Sequence, residues 1–326
     1  MKKRMIYLLS VVSFCVLFLF MTPKTIYADI NGVTVTPLIG DSNITDRFQI
    51  VSKKGGERKL KISISNFGIR KLKLKVVPTN ATTSSDGKIA YTENIKTGDY
   101  GLQYAFADMT KSQTITLRPN QTKDLTFKVK IPDKKLKGLI MGGFNIYDIN
   151  RVAQGRSSVP VWITEDNKAV GGILSLHSLS LAVENDQPHV YVNLQNNQPG
   201  MMKKVIVHAT VKRESWLDRF DLGPKKMTAD LTYPKVAPNS KIPIDFNQNQ
   251  TPIAPGKYKV EGVARSGKAV WNFKKTYTIT EKQANDINSR CKNLVYDKTI
   301  TYILIVLVLV SLIVLIFWGI WHQNRS

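Results

Sequence analysis

The chain has 326 residues, a formal net charge of +23 and 43% hydrophobic residues. That length allows two domains of ordinary size, and the charge excludes a preference for cationic partners while predicting attraction to polyanions such as teichoic acids, anionic lipid surfaces or sulfated glycans. Two cysteines, Cys15 and Cys291, are too few for a disulfide-stapled scaffold.

The first residues read as a basic head (Lys2, Lys3, Arg4), an apolar run over 5–21 and a polar stretch ending at Ala28. This order predicts a secretory signal peptide over 1–28, with a retained anchor as the alternative. Its removal takes Cys15 away, leaves Cys291 without an intrachain partner, and lowers the net charge to +19 because four basic and no acidic residues go with it. The body is then extracytoplasmic, and nucleic acid is not expected as a partner.

From there the hydrophobic period is two. "RKLKISISN" sets Leu60, Ile62 and Ile64 against Lys59, Lys61, Ser63 and Ser65; "RKLKLKV" sets Leu72, Leu74 and Val76 against Lys71, Lys73 and Lys75; "KDLTFKVKI" alternates Leu125, Phe127, Val129 and Ile131. Half-buried antiparallel strands have this pattern and helices do not. The second half repeats it in "HVYVNLQNN", "KKVIVHATVKR", "GKYKVEGVARS" and "AVWNFKKTYTIT". The halves also echo each other, with Asn66 and Asn196 closing strands and Pro119-Asn120 and Pro238-Asn239 turning into them. The expected fold is all-β: two tandem immunoglobulin-like β-sandwiches plus one C-terminal transmembrane helix. Expected boundaries are 29–165 and 172–285 for the sandwiches, 286–299 for a linker, 300–321 for the helix and 322–326 for a cytoplasmic tail. Residues 300–321 contain no charge, enough at about 1.5 Å per residue to cross a bilayer core of about 30 Å. Tyr302, Trp318 and Trp321 stand at the edges as interfacial anchors do.

Several motifs tempt a catalytic reading. "KIPDKKLKGLIMGGFNIYD" puts its lysines before Gly142 and Gly143 and follows them with no Lys-Ser/Thr pair, so it is not a phosphate loop. It reads instead as a turn and a strand over 139–146, in which the glycines mark a bulge or a close approach of a neighbouring strand or ligand. Ser85-x-x-Lys88 and Lys96-Thr97-Gly98 match motifs of penicillin-interacting enzymes, but they lie within a dozen residues of each other in turn-forming sequence, where that chemistry needs a helix start and a distant strand. His177, His189 and His208 have no zinc-ligand spacing, and the carboxylates are scattered. No catalysis, metal or cofactor is expected.

Binding surfaces remain. Lys59, Lys61, Lys71, Lys73 and Lys75 point outward and form one basic cluster if "SNFGIR" is a hairpin turn, or two if the chain crosses between sheets there. The loop "KRESWLDRFDLGPKK" offers Trp216 and Phe220 beside arginines as interface anchors, unless Trp216 tucks under its own sandwich. Trp271 and Phe273 read as core.

Taken together, the chain resembles the WxL-interacting proteins of Gram-positive bacteria. The resemblance rests on an ordered set: Asn80, Gly87, Ile89 and Tyr91; then Pro132, Gly138, Gly142 and Gly143; then Pro255, Gly256, Tyr258, Trp271 and Phe273, between a signal peptide and a terminal helix. "PLIGDSNIT" near 36–45 departs from the family's usual stretch. The resemblance implies a peptidoglycan-binding first domain, a second domain that engages WxL surface proteins or host ligands, and a single-pass membrane protein facing the wall. An adhesin that binds anionic host glycans through its basic sheet faces is the rival expectation.

Overall fold

A computed structural model of the chain describes residues 30–40, 44–220 and 223–323. The expected signal peptide and the last three residues lie outside them. The chain divides into two compact units: Met1–Ala81 with Tyr91–Ala169, and Thr82–Ala90 with Val170–Ser326.

The first unit is a sandwich of a three-stranded and a six-stranded sheet. The smaller sheet has the order β1 (Val33–Leu38), β3 (Glu57–Asn66), β7 (Gln121–Lys130). The larger runs β2 (Phe48–Val51), β9 (Ser157–Thr164), β8 (Leu139–Asp148), β4 (Leu72–Thr83), β5 (Ile89–Glu93), and β6 (Gln113–Leu117) also pairs with β4. The alternation works as expected: Leu60, Ile62 and Ile64 of β3 and Leu125, Phe127 and Val129 of β7 meet Leu74, Val76, Phe144 and Ile146 of the facing sheet in one core. Phe127 and Phe144 face each other across it with ring centroids 4.2 Å apart. Burying such side chains contributes about 1.5–3 kcal/mol each, which is what selects this register over a one-residue slip.

The second unit repeats the plan. Its three-stranded sheet is β10 (Leu174–Glu184), β11 (Gln187–Asn196), β14 (Ser240–Asn247), and its four-stranded sheet is β13 (Met227–Val236), β12 (Met202–Arg213), β15 (Gly256–Ser266), β16 (Ala269–Ile279). Phe273 is buried in this core and Trp271 packs against it. The unit also holds Thr82–Ala90, where the Ala237 N–H donates to Thr83 Oγ1 at 3.0 Å.

The echo between the halves has a physical basis. Asn66 is fully buried; its Nδ2 donates to the carbonyls of Arg70 (2.7 Å) and Arg118 (3.1 Å), and its Oδ1 accepts from Gly68 N–H. Asn196, equally buried, donates to the carbonyls of Gly200 (2.9 Å) and Ala237 (3.0 Å) and accepts from Ile173 and Gln198. Arg118 and Ala237 immediately precede the two Pro-Asn turns, whose Asn120 and Asn239 sit at φ 55° and 46°. Each buried asparagine thus ties the end of a strand to the turn that starts its neighbour.

After a one-turn helix α1 (Phe106–Met109) in the first unit, the next helix, α2 (Glu281–Asn288), starts past β16 at a capping box between Thr280 and Gln283 and buries Ala284 and Ile287 in the second core. The segment expected as a linker is therefore partly docked: Asn288 Nδ2 donates to Ile253 O at 2.8 Å, and Lys292 Nζ meets Asp186 at 2.8 Å. The last helix, α3 (Thr299–Gln323), is long and apolar enough to cross a membrane, and none of its apolar window is buried.

Asn66→Ala strands two buried carbonyls and an amide. The expected loss is about 3 kcal/mol, read as roughly hundredfold faster amide exchange across β3 and β7. The same substitution at Asn196 should act on β11 and β14 instead.

Candidate functional site

The outer face of the six-stranded sheet of the first unit carries the densest functional chemistry. Gly142 and Gly143 lie side by side in β8 and serve opposite faces. A Cβ on Gly142 would stand 2.3 Å from the Phe106 ring on the core side, and one on Gly143 would stand 2.7 Å from the Tyr91 ring on the outer side. What approaches each glycine is therefore a side chain and not a neighbouring backbone. The missing Cβ at Gly143 lets the Tyr91 ring, from β5, lie across β8 and reach β9, where Trp162 Nε1 donates to its hydroxyl at 3.2 Å. Burial pushes the Tyr91 phenol above its usual range, so it stays neutral.

Register places the rest. Met141 pairs with Trp162, Gly143 with Pro160 and Asn145 with Ser158; across the strand, Asn145 meets Val77 and Tyr147 meets Lys75. All of these share the outer face because side chains alternate along a strand. Arg47, just before β2, lays its guanidinium 4.3 Å from the centre of the Trp162 ring while both its contacts to Asp46 are 2.9 Å. Arg156 lies 5.2 Å from the Tyr147 ring. The floor of this layer is a buried asparagine: Asn145 is 2% exposed and its Oδ1 has no hydrogen-bond partner, and the buried Nε of Arg47 has none either. A buried acceptor left unpaired costs about 1–3 kcal/mol, so its retention calls for a reason beyond packing. Aromatic faces and cations, over a buried amide oxygen that lacks a partner, together suit a ligand with apolar ring faces and carboxylates.

The five lysines singled out by sequence are divided by the chain's crossing from β3 to β4. Lys59 and Lys61 lie on the outer face of the three-stranded sheet, where Lys59 stands directly opposite Lys128. Lys73 and Lys75 lie on the other sheet, where Lys75 joins the aromatic layer beside Tyr147, and Lys71 ends the loop that leads into it. Trp216 and Phe220 belong to a short 3-10 helix in the second unit; they are 68% and 64% exposed and meet edge to face at 6.2 Å, so Trp216 does not tuck under its sandwich. The Lys212 ammonium and the Ser215 N–H hold the neighbouring Asp218 carboxyl below its usual range.

Ser85 and Lys88 occupy a turn, where Ser84 and Asp86 bond to each other and the Ser84 hydroxyl also donates to Lys88 O. That is not the helix start their motif requires. His189 and His208 each face a carboxylate, Asp245 at 2.7 Å and Asp230 at 2.6 Å.

Sequence reasoning missed Arg47, Asn145, Tyr147 and Trp162. One signal was available: Asn145 is a lone amide in the otherwise apolar run "LIMGGFNIY".

Fold and site together define a tandem β-sandwich binding protein of the immunoglobulin-like class. Residues 34–148 match the family model described as WxL Interacting Protein, peptidoglycan binding domain, and residues 154–289 match WxL Interacting Protein, host binding domain. The chain belongs to the WxL Interacting Protein family. Both matched domains are binding domains. The first match stops at 148, whereas β9, which supplies Trp162, lies beyond it. No curated protein matches the chain.

Among solved structures, the PapD-like domain 7 of human CEP192 is 8% identical with a TM-score of 0.28, covering 46% of this chain and 94% of its own. The YadV chaperone is 10% identical with a TM-score of 0.26, covering 76% and 100%. Likenesses this faint carry no argument, and the family assignment rests on the two domain matches.

Gly143→Ala forces the Tyr91 ring off the sheet. An expected cost of about 1–3 kcal/mol should come with a changed Trp162 fluorescence as Nε1 loses its acceptor, while Ser158→Ala on the same face leaves both unaltered.

Proposed function

We propose that the chain is a non-catalytic, membrane-anchored surface protein that tethers WxL-type surface proteins to peptidoglycan. Its first sandwich, 29–165, holds the glycan. Its second, 172–285, holds a Trp-x-Leu surface protein or a host ligand through Trp216 and Phe220, and α3 fixes the chain in the membrane with its bulk outside. Carrying both sites on one chain raises the effective concentration of each binding event for the other.

The observation that carries the reading is Asn145. Peptidoglycan is a chain of N-acetylated sugars bearing short peptides, and it offers what the outer face lacks. Sugar rings stack on Trp162 and Tyr147 and peptide carboxylates meet Arg47, Arg156 and Lys75, while an acetamide N–H pairs with the buried Asn145 Oδ1 once the side chains covering it move aside. Arg47 must move off Trp162 to admit the ring, giving up its cation–π contact, and its Nη1 contacts to Asp46 set how far it moves.

A second reading has its own support. Lys59 opposite Lys128, with Lys61 beside them, is a like-charge arrangement that an anion relieves, as an adhesin for anionic host glycans would use.

Co-sedimentation of the full chain with purified insoluble peptidoglycan separates the two. Trp162→Ala and Asn145→Leu are expected to weaken binding at least tenfold, Lys59→Glu to leave it within twofold, and binding to persist at high salt. Asn145→Leu should keep or raise stability by about 1 kcal/mol, because it removes an unpaired buried acceptor. Binding lost with salt, insensitive to Trp162 and reduced by Lys59→Glu would transfer the function to the anionic-glycan reading.

A further inference from the structure

One end of the first unit is built from four loops, 30–32, 66–71, 118–120 and 149–156, of which the first, second and fourth line an open cleft of about 980 Å³ with Asn31, Gly32, Phe67, Ile69, Arg70 and Arg151, among others. Two features set this end apart. Its apolar side chains are exposed: Ile69 is 90% and Phe67 65% accessible, with Ile149 and Val152 also open to solvent. Its charge is of one sign: among the described residues of these loops there is no Asp or Glu, while Arg70 and Arg151 line the cleft and Lys71 and Arg118 belong to the same loops. Elsewhere the chain takes most of its positive charge from lysine, yet three of its twelve arginines, Arg70, Arg118 and Arg151, stand here.

We infer that this loop end is a docking site for an acidic, apolar-bearing segment of a partner protein, distinct from the glycan-facing sheet and independent of that assignment. Exposed apolar surface of this extent on a monomer marks an interaction site. Arginine and aromatic side chains are enriched at protein interfaces and lysine is depleted, and a guanidinium pairs with a carboxylate through two parallel hydrogen bonds that an ammonium cannot make. A cleft between loops receives side chains, whereas a bilayer has none to insert. Phe67 and Ile69 are two residues apart, so an extended partner segment with apolar side chains at the same spacing presents both on one face. The loop is held in shape from below by Asn66, whose bonds to Gly68, Arg70 and Arg118 involve only backbone atoms. The side chains of Phe67, Ile69, Arg70 and Arg118 are thereby left to the partner.

The test uses the full chain in detergent and a fluorescein-labelled peptide with a phenylalanine and a leucine two residues apart, flanked on each side by three aspartates. One control peptide replaces the aspartates by lysines and another replaces the two apolar residues by serines. The acidic apolar peptide is expected to bind at least tenfold more tightly than either control. Ile69→Ser and Arg151→Glu should each weaken it at least tenfold, and Lys235→Glu, an exposed lysine of β13, should leave it unchanged. No binding, or equal binding of the serine control, overturns the inference, the latter by reducing the end to a generic anion attractor. A parallel arm places an environment-sensitive fluorophore at Ile69→Cys in a Cys291→Ser background, with the chain in phosphatidylglycerol or phosphatidylcholine nanodiscs. A blue shift in phosphatidylglycerol alone, without peptide binding, would assign the end to a lipid surface and overturn the protein-docking assignment.

Discussion

The buried asparagines at the ends of β3 and β11 are the constraint on which the rest depends. A sandwich closes only if the chain leaving one sheet is held while it turns toward the other, and the turn that returns to the first sheet must be held at the same place. Asn66 and Asn196 do both with one side chain each, by donating to one carbonyl of the outgoing loop and one just ahead of the Pro-Asn turn. Among the described residues Cys291 is the one cysteine, and amides buried at 0% exposure hold the loops. Repetition of the same bonds in both units also explains why their three-stranded sheets share one order.

The paired glycines of β8 are the second device. In a strand buried on both faces, two consecutive residues without Cβ atoms cost backbone entropy and weaken the sheet. The return is specific: Phe106 fills the core side and Tyr91 the outer side, and Tyr91 then spans three strands to reach Trp162. The outer face becomes a packed polar layer instead of a plain solvated surface, with an unpartnered amide in its floor. Position in the fold, not residue type alone, turns these side chains into a candidate binding site.

The net charge follows from the same architecture. Outward-facing strand positions are filled with lysines, which keep the sheets soluble and attract polyanions at long range. In the proposed reading, short-range recognition falls to other groups: the aromatic layer of the six-stranded sheet, the Trp216–Phe220 pair of the second unit, and the arginine-rich loop end. The two matched domains are both binding domains, and a helix of membrane-crossing length follows them.

Much was legible without coordinates. Strict alternation in β3, β7 and β15 specified strands and their buried faces, because a half-exposed strand has no other way to satisfy burial. A charge-free run over 300–321 specified a membrane-length helix for the same reason of solvation. Even the duplicated Pro-Asn turns were visible. What alternation cannot encode is which strands lie side by side, since every pairing of half-buried strands satisfies it equally. Only the tertiary structure decided that the lysines of β3 and β4 belong to different sheets, and that Arg47, Tyr91, Asn145 and Trp162, separated by more than a hundred residues, share one face. Local sequence determined the elements because hydrophobic period acts within a strand; long-range pairing determined the site because its atoms meet only after the sheet has closed.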